Sequence, residues 1–194
     1  MKFIQKKSID APREVQRFQG EVNILEQMDH QNIVKLYEVY EDSVNFYLIT
    51  DLLKGGELFD EIVKRQKFTE KDAAEIMLQV FSAINYLHNK GFVHRDLKPE
   101  NICLENDHDV KIIDFGTARK FTKGKKLRQV TGTPFYMAPE IFNEKKYNEK
   151  ADMWSLGIVM YILLTGKAPY FGNEDDKIIA QAKKGVFNRK LLIE

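Results

Sequence analysis

Apolar residues recur along this chain in runs of changing period, and the period indicates which element each run builds. Over residues 12–28 the apolar positions Val15, Phe18, Val22, Leu25 and Met28 fall at helical spacing with charges between them. Two short runs rich in β-branched and aromatic residues follow, 33–40 and 44–50, with Glu41, Asp42 and Ser43 between them as a turn. Gly55-Gly56 breaks the pattern, and a helix is predicted to start near Glu57. Thr69 is placed to cap the next helix, with Asp72 in the position of an acidic capping-box partner. Ala73, Ile76, Met77, Val80, Phe81, Ile84 and Leu87 mark its apolar face, and Asn89-Lys90-Gly91 ends it. Residues 110–113 read as a strand, 152–164 as a nearly all-apolar helix and 175–184 as a more charged one. Strands dominate the first quarter and helices the remainder, without internal repeats. The layout is two-lobed α+β, with Lys54-Gly55-Gly56 as the junction. Residues 1–53 form a small β-rich part with its hinge, and 54–194 form the larger helical part.

The densest chemistry lies in His94-Arg95-Asp96-Leu97-Lys98-Pro99-Glu100-Asn101, just beyond the strongest helix. This run places a carboxylate, an ammonium and an amide close together on one loop. Phosphoryl transfer needs a group to orient and accept a hydroxyl proton, a cation for the γ-phosphate and a ligand for Mg²⁺. Asp96, Lys98 and Asn101 supply these in that order. Asp114-Phe115-Gly116 follows a strand-like run, which would let its carboxylate approach a metal bound between phosphates. Alone that tripeptide is common; behind the first motif it gains weight. Gly132-Thr133-Pro134-Phe135-Tyr136-Met137-Ala138-Pro139-Glu140 and Asp152-Met153-Trp154-Ser155-Leu156-Gly157 complete the series.

Together these motifs resemble the catalytic domain of eukaryotic Ser/Thr protein kinases across essentially the whole chain. Asp29-His30-Gln31-Asn32-Ile33-Val34-Lys35-Leu36 and Gly55-Gly56-Glu57-Leu58-Phe59-Asp60-Glu61-Ile62 narrow the likeness to the calcium/calmodulin-regulated and calcium-dependent group. The resemblance implies a two-lobed kinase-like fold, ATP and Mg²⁺ as cofactors, and protein substrates phosphorylated on Ser or Thr. By the same resemblance Asp96 is the catalytic base, Lys98 its cationic companion, and Asn101 and Asp114 the metal ligands. Lys2 would hold the α- and β-phosphates, paired with Glu21. Thr50 falls at the gatekeeper position, and Asp51 to Leu53 form the hinge that bonds adenine through its backbone. Glu57 would reach the ribose or, with Glu100, a basic residue three before the target hydroxyl; Ile162 would face the residue two before it. Leu25, Leu36, His94 and Phe115 match the apolar stack that aligns the lobes, with Asp152 anchoring its base. Gln129 stands where many kinases carry an activating phosphosite.

Composition adds limits rather than direction. Thirty basic residues against twenty-nine acidic ones give a net charge of +1, which offers no basis for a nucleic-acid or membrane partner. The single cysteine, Cys103, reads as a small apolar residue beneath adenine, and it suits a reducing, cytoplasmic location. Against the family pattern, the chain reads as cut short at both ends. The glycine-rich loop would precede Lys2, and an arginine partner for Glu140 would follow Glu194. That reading predicts a frayed Lys2–Glu21 pair and weak MgATP affinity for residues 1–194 alone. One rival is a catalytically weak fragment or pseudokinase acting as a protein-binding module, although all six catalytic positions are filled. A small-molecule phosphotransferase would lack the 132–140 segment that docks a protein substrate.

Overall fold

The β-rich first quarter folds as the alternation of its side chains requires. In the computed structural model, which describes residues 1–9, 12–106, 109–143, 146–172 and 174–192, strands β1 (Lys2–Gln5), β2 (Leu36–Glu41) and β3 (Asn45–Thr50) form an antiparallel sheet in the order β1-β3-β2. Lys2 lies opposite Leu48, and Leu36 lies opposite Thr50, with a bulge between Leu36 and Glu38. The turn between β2 and β3 is closed by Asp42, whose Oδ1 accepts from the N–H groups of Val44 and Asn45. Helix α1 (Pro12–Leu25) packs on this sheet, with the Phe18 and Phe46 ring centroids 4.6 Å apart.

Two expectations shift here. The apolar period runs on to Met28, but α1 ends at Leu25 because Gln27 and Met28 donate to the carbonyls of Ile24 and Leu25 in a tighter turn. Ile33 and Val34 belong to no strand of the sheet. Val34 N–H donates to Ile112 and Ile112 N–H to Asn32, so this segment is pinned to the helical part.

Beyond Thr50 the chain is mainly helical. Helices α2 (Leu58–Arg65) and α3 (Glu70–Asn89) come first; Thr69 Oγ1 accepts from Asp72 N–H, the cap expected from sequence. Four short strands follow: β4 (Phe92–Val93) pairs with β7 (Arg119–Lys120), and β5 (Ile102–Leu104) with β6 (Val110–Ile112). Helices α4 (Pro139–Asn143), α5 (Lys150–Thr165) and α6 (Asp175–Lys184) complete the described fold. Val80, Ala83 and Leu87 of α3 and Leu156, Val159 and Leu163 of α5 are fully buried in one core that reaches up to Leu25 and Phe115. Helix α5 is apolar over most of its surface and buries Leu156, Val159 and Leu163, while Met153 and Met160 stay exposed on one face. Among the described residues no helix is long and apolar enough to cross a membrane. The architecture is α+β, as the sequence pattern implied.

Candidate active site

The loop between β4 and β5 is held open by a buried carboxylate. Asp152, at the start of α5, is fully buried; its two oxygens accept from the backbone N–H groups of His94 and Arg95 at 2.9 Å each, and Oδ2 also lies 2.8 Å from His88 Nε2. These bonds offset the left-handed backbone of Arg95, whose φ is 73°. His94 packs edge-on against Phe115, with centroids 5.0 Å apart, and Leu25 and Phe115 share the main core with Leu36 packed beside them. Of the stack expected from the motifs, the His94–Phe115 contact is present, and Leu25 and Phe115 lie in the same core.

Held in this way, the loop presents Asp96, Lys98 and Asn101 together. Lys98 Nζ lies 3.6 Å from Asp96 Oδ2, and Asn101 Nδ2 donates to the Asp96 carbonyl at 2.8 Å. Asp96 Oδ1 accepts from both the N–H and the hydroxyl of Thr133 at 2.8 Å, while Lys98 Nζ donates to Thr133 Oγ1 at 3.0 Å. Thr133 is a site residue that motif reading did not single out. Its neighbour Gly132 explains part of the motif: φ is 113° and an added Cβ would sit 2.4 Å from the Arg95 carbonyl oxygen.

The remaining candidates converge on a cavity of about 450 Å³ between the three-stranded sheet and this loop. Lys2, Glu21, Thr50, Asp51, Leu53 and Glu57 line it from one side, and Lys98, Glu100, Asn101 and Asp114 from the other. Asp96 is the one candidate outside the lining, tied to it through Asn101 and Lys98. Lys2 Nζ pairs with Glu21 Oε1 at 2.8 Å; the lysine side chain is 48% exposed and the glutamate only 8%. Asp114 has a left-handed φ of 55° and accepts from Gly116 N–H, and Ile113 N–H, one residue earlier, donates to the Asn101 carbonyl. The two metal-ligand candidates are thus joined through backbone.

A second cleft, of about 940 Å³, runs beside the loop and is lined by Phe59, Pro99, Phe135, Tyr136 and Ile162. Glu100 borders the smaller cavity and keeps a buried Oε2 without a hydrogen-bond partner. Burial, with the Glu100 and Asp96 carboxylates nearby, pushes the Tyr136 phenol well above its ordinary range. Arg95 donates through Nη1 to Gln129 Oε1 at 3.4 Å and to the Tyr147 hydroxyl at 3.3 Å. Cys103 is buried but does not line the smaller cavity; burial first, then Glu57 and Asp60, raise its thiol pKa.

The sequence model of the family described as "Protein kinase domain" matches residues 1–192. The chain belongs to the protein kinase domain family. Calcium-dependent protein kinase 5 of Plasmodium berghei (strain Anka) is 48% identical over 190 residues, covering 96% of this chain and 33% of that protein. Calcium-dependent protein kinase 4 of Plasmodium falciparum (isolate 3D7) is 44% identical over 191 residues, covering 96% and 36%. Calcium-dependent protein kinase 3 of Plasmodium yoelii yoelii is 41% identical over 194 residues, covering 98% and 35%. The chain spans about a third of the length of these curated relatives. Kinase family membership and the α+β fold agree with what the motifs implied.

Proposed function

We infer that this protein kinase domain transfers the γ-phosphoryl group of ATP to Ser or Thr hydroxyls of protein substrates. The observation that carries the reading is the constellation itself. A carboxylate stands 3.6 Å from an ammonium that lines a cavity whose opposite wall holds a lysine–glutamate pair. Asp96 accepts the hydrogen bond, and then the proton, of the attacking hydroxyl, while Lys98 stabilises negative charge on the transferred group. Bound in the cavity, MgATP supplies the phosphoryl group and the metal's countercharge. Lys2, oriented by Glu21, would hold the α- and β-phosphates, and the backbone of Asp51 to Leu53 would bond adenine beside Thr50.

The residues present fit that cofactor. Among the described residues no cluster of three or more His, Cys, Asp or Glu forms a self-contained metal site. Asn101 and Asp114 offer two oxygen ligands, which suits Mg²⁺, an ion that completes its shell with phosphates and water. The partnerless, buried Glu100 Oε2, with exposed Glu57 on the same cavity, supports recognition of a basic substrate residue three before the target. Ile162 in the larger cleft offers no charge to the residue two before it. We assign residues 1–53 to a small lobe with its hinge and 54–194 to a large lobe, and place the protein in the cytoplasm. The test is Asp96→Asn in the full-length protein. Peptide phosphorylation should fall by about 10²–10⁴, the worth of a general base, while MgATP affinity stays near wild type. Near-normal turnover would overturn the assignment.

A further inference from the structure

Asp51 does more than contribute backbone to the hinge. Its carboxylate accepts from Lys35 N–H at 3.0 Å and from the Tyr37 hydroxyl at 2.7 Å, and Oδ2 pairs with Lys111 Nζ at 3.1 Å. Asp51 N–H also donates to the Lys35 carbonyl, so the two residues are joined by main chain and side chain alike. Both members of the ion pair are shielded, with side chains 11% and 12% exposed, and Glu105 Oε1 stands 3.9 Å from the same ammonium. Burial opposes ionisation of Asp51, but the Lys35 N–H, the Tyr37 hydroxyl and the Lys111 ammonium outweigh it and hold the carboxyl below the ordinary aspartate range. The site is built for the charged form.

The positions of the partners give this pair its meaning. Tyr37 lies in β2 of the three-stranded sheet, whereas Lys111 lies in β6. Ile112 and Ile113 alone separate Lys111 from Asp114. Asp51 and Asp114 both line the 450 Å³ cavity. This shielded ion pair therefore ties the adenine end of that cavity to the strand that delivers its metal-ligand carboxylate, alongside the backbone bonds between Asn32, Val34 and Ile112.

We propose that Asp51 and Lys111 form a positioning clasp that fixes the hinge relative to the Asp114 strand and so sets the spacing between the adenine and phosphate ends of the nucleotide site. The proposal rests on the nucleotide-binding reading above. Neither side chain is a catalytic residue; each acts through the backbone and strand it holds. A pair serving only general stability would leave nucleotide affinity unchanged in the folded protein. A clasp instead favours the conformation that binds nucleotide, so its loss weakens binding and speeds release without altering the chemistry.

The experiment measures MgADP affinity, steady-state kinetics and amide hydrogen exchange over residues 51–54 in the full-length protein, for wild type, Lys111→Met, Lys111→Arg, Asp51→Asn and the double variant Asp51→Asn/Lys111→Met. Lys111→Met should weaken MgADP and raise KM for ATP about tenfold, equivalent to about 1.4 kcal/mol of coupling. Peptide KM and kcat should stay within about twofold, because the groups around Asp96 are untouched. Exchange at 51–54 should quicken, Lys111→Arg should recover most of the affinity, and the double variant should be no worse than the poorer single one. Unchanged MgADP affinity and exchange in a folded Lys111→Met protein would overturn the clasp alone, as would strictly additive losses. Failure of the wild-type protein to bind MgADP would overturn the nucleotide reading and the clasp with it.

Discussion

The loop that carries Lys98 and Asn101 and the strand that carries Lys2 border the same cavity but are held by different means. The loop is fixed from within: Asp152 bonds its backbone, Phe115 packs against His94, and Thr133 braces both Asp96 and Lys98. Lys2 lies on the outer strand of the sheet and reaches the site through a single ion pair to Glu21, with half of its side chain in solvent. One side of the site is preorganised by redundant, buried contacts. The other depends on how the sheet sits. For the proposed phosphoryl transfer this division is sensible, because the reacting groups would need fixed geometry while a nucleotide would have to enter and leave.

This contrast predicts the largest effect at the buried anchor. Asp152→Ala leaves two buried N–H groups and His88 without their acceptor and removes what offsets the Arg95 backbone. We expect a loss on the order of 3 kcal/mol in urea unfolding, with loss of peptide phosphorylation. A stability change under about 1 kcal/mol would show that the loop does not need its anchor.

Lys2→Met should invert the pattern. A half-exposed pair contributes little to folding, so stability should move by less than about 1 kcal/mol. The phosphates would still lose a positioned cation, and kcat/KM for ATP should fall by about 10²-fold. Equal damage to stability and activity would place Lys2 in the rigid half after all. An intermediate effect is expected at Thr133. Removing its hydroxyl in Thr133→Ala takes one of two donors from Asp96 Oδ1 and the hydrogen-bond acceptor of Lys98, for a drop in kcat of about tenfold. Thr133→Ser keeps the oxygen and should recover most of the rate; no recovery would mean that packing, not the hydroxyl, matters there.

The same contrast marks what could be read from the residues alone. Asp96, Lys98 and Asn101 are legible because their chemistry is contiguous, and helix α3 because apolar period and capping agree. Thr133 was quoted within a motif, yet its bonds to Asp96 and Lys98 cross a separation that no local pattern encodes. The Asp51–Lys111 pair escaped for the same reason, being made only when β2, β6 and the hinge assemble. Ile33 and Val34 looked like strand because they are β-branched, but their backbone partner is Ile112 rather than the sheet. Local pattern specifies elements and contiguous motifs; pairings between elements need the fold.

The smallest effect is expected at Gln129, and it tests how the rigid half is finished. The motif places a phosphorylatable residue there in many kinases, yet this side chain has no hydroxyl and is exposed. Its amide oxygen approaches Arg95 Nη1 at only 3.4 Å, a long and weak contact. Arg95 is held more firmly elsewhere: Nε donates to the Thr117 carbonyl at 2.7 Å, and the guanidinium also meets Tyr147. Tyr147 in turn donates to the Gln129 carbonyl at 2.6 Å, a bond to backbone that Gln129→Ala would keep. That substitution should therefore change kcat by less than about threefold, the effect of a contact worth under 1 kcal/mol. Phosphatase treatment of active protein should likewise leave activity in place. Thr131 is the residue that could break this account, since it lines a cleft with Arg17, Arg95 and Arg119, where a phosphate would find cations. Complete loss of activity on phosphatase treatment, reproduced by Thr131→Ala, would show that the loop needs a phosphate to finish it and that Arg95 is not adequately held by neutral partners.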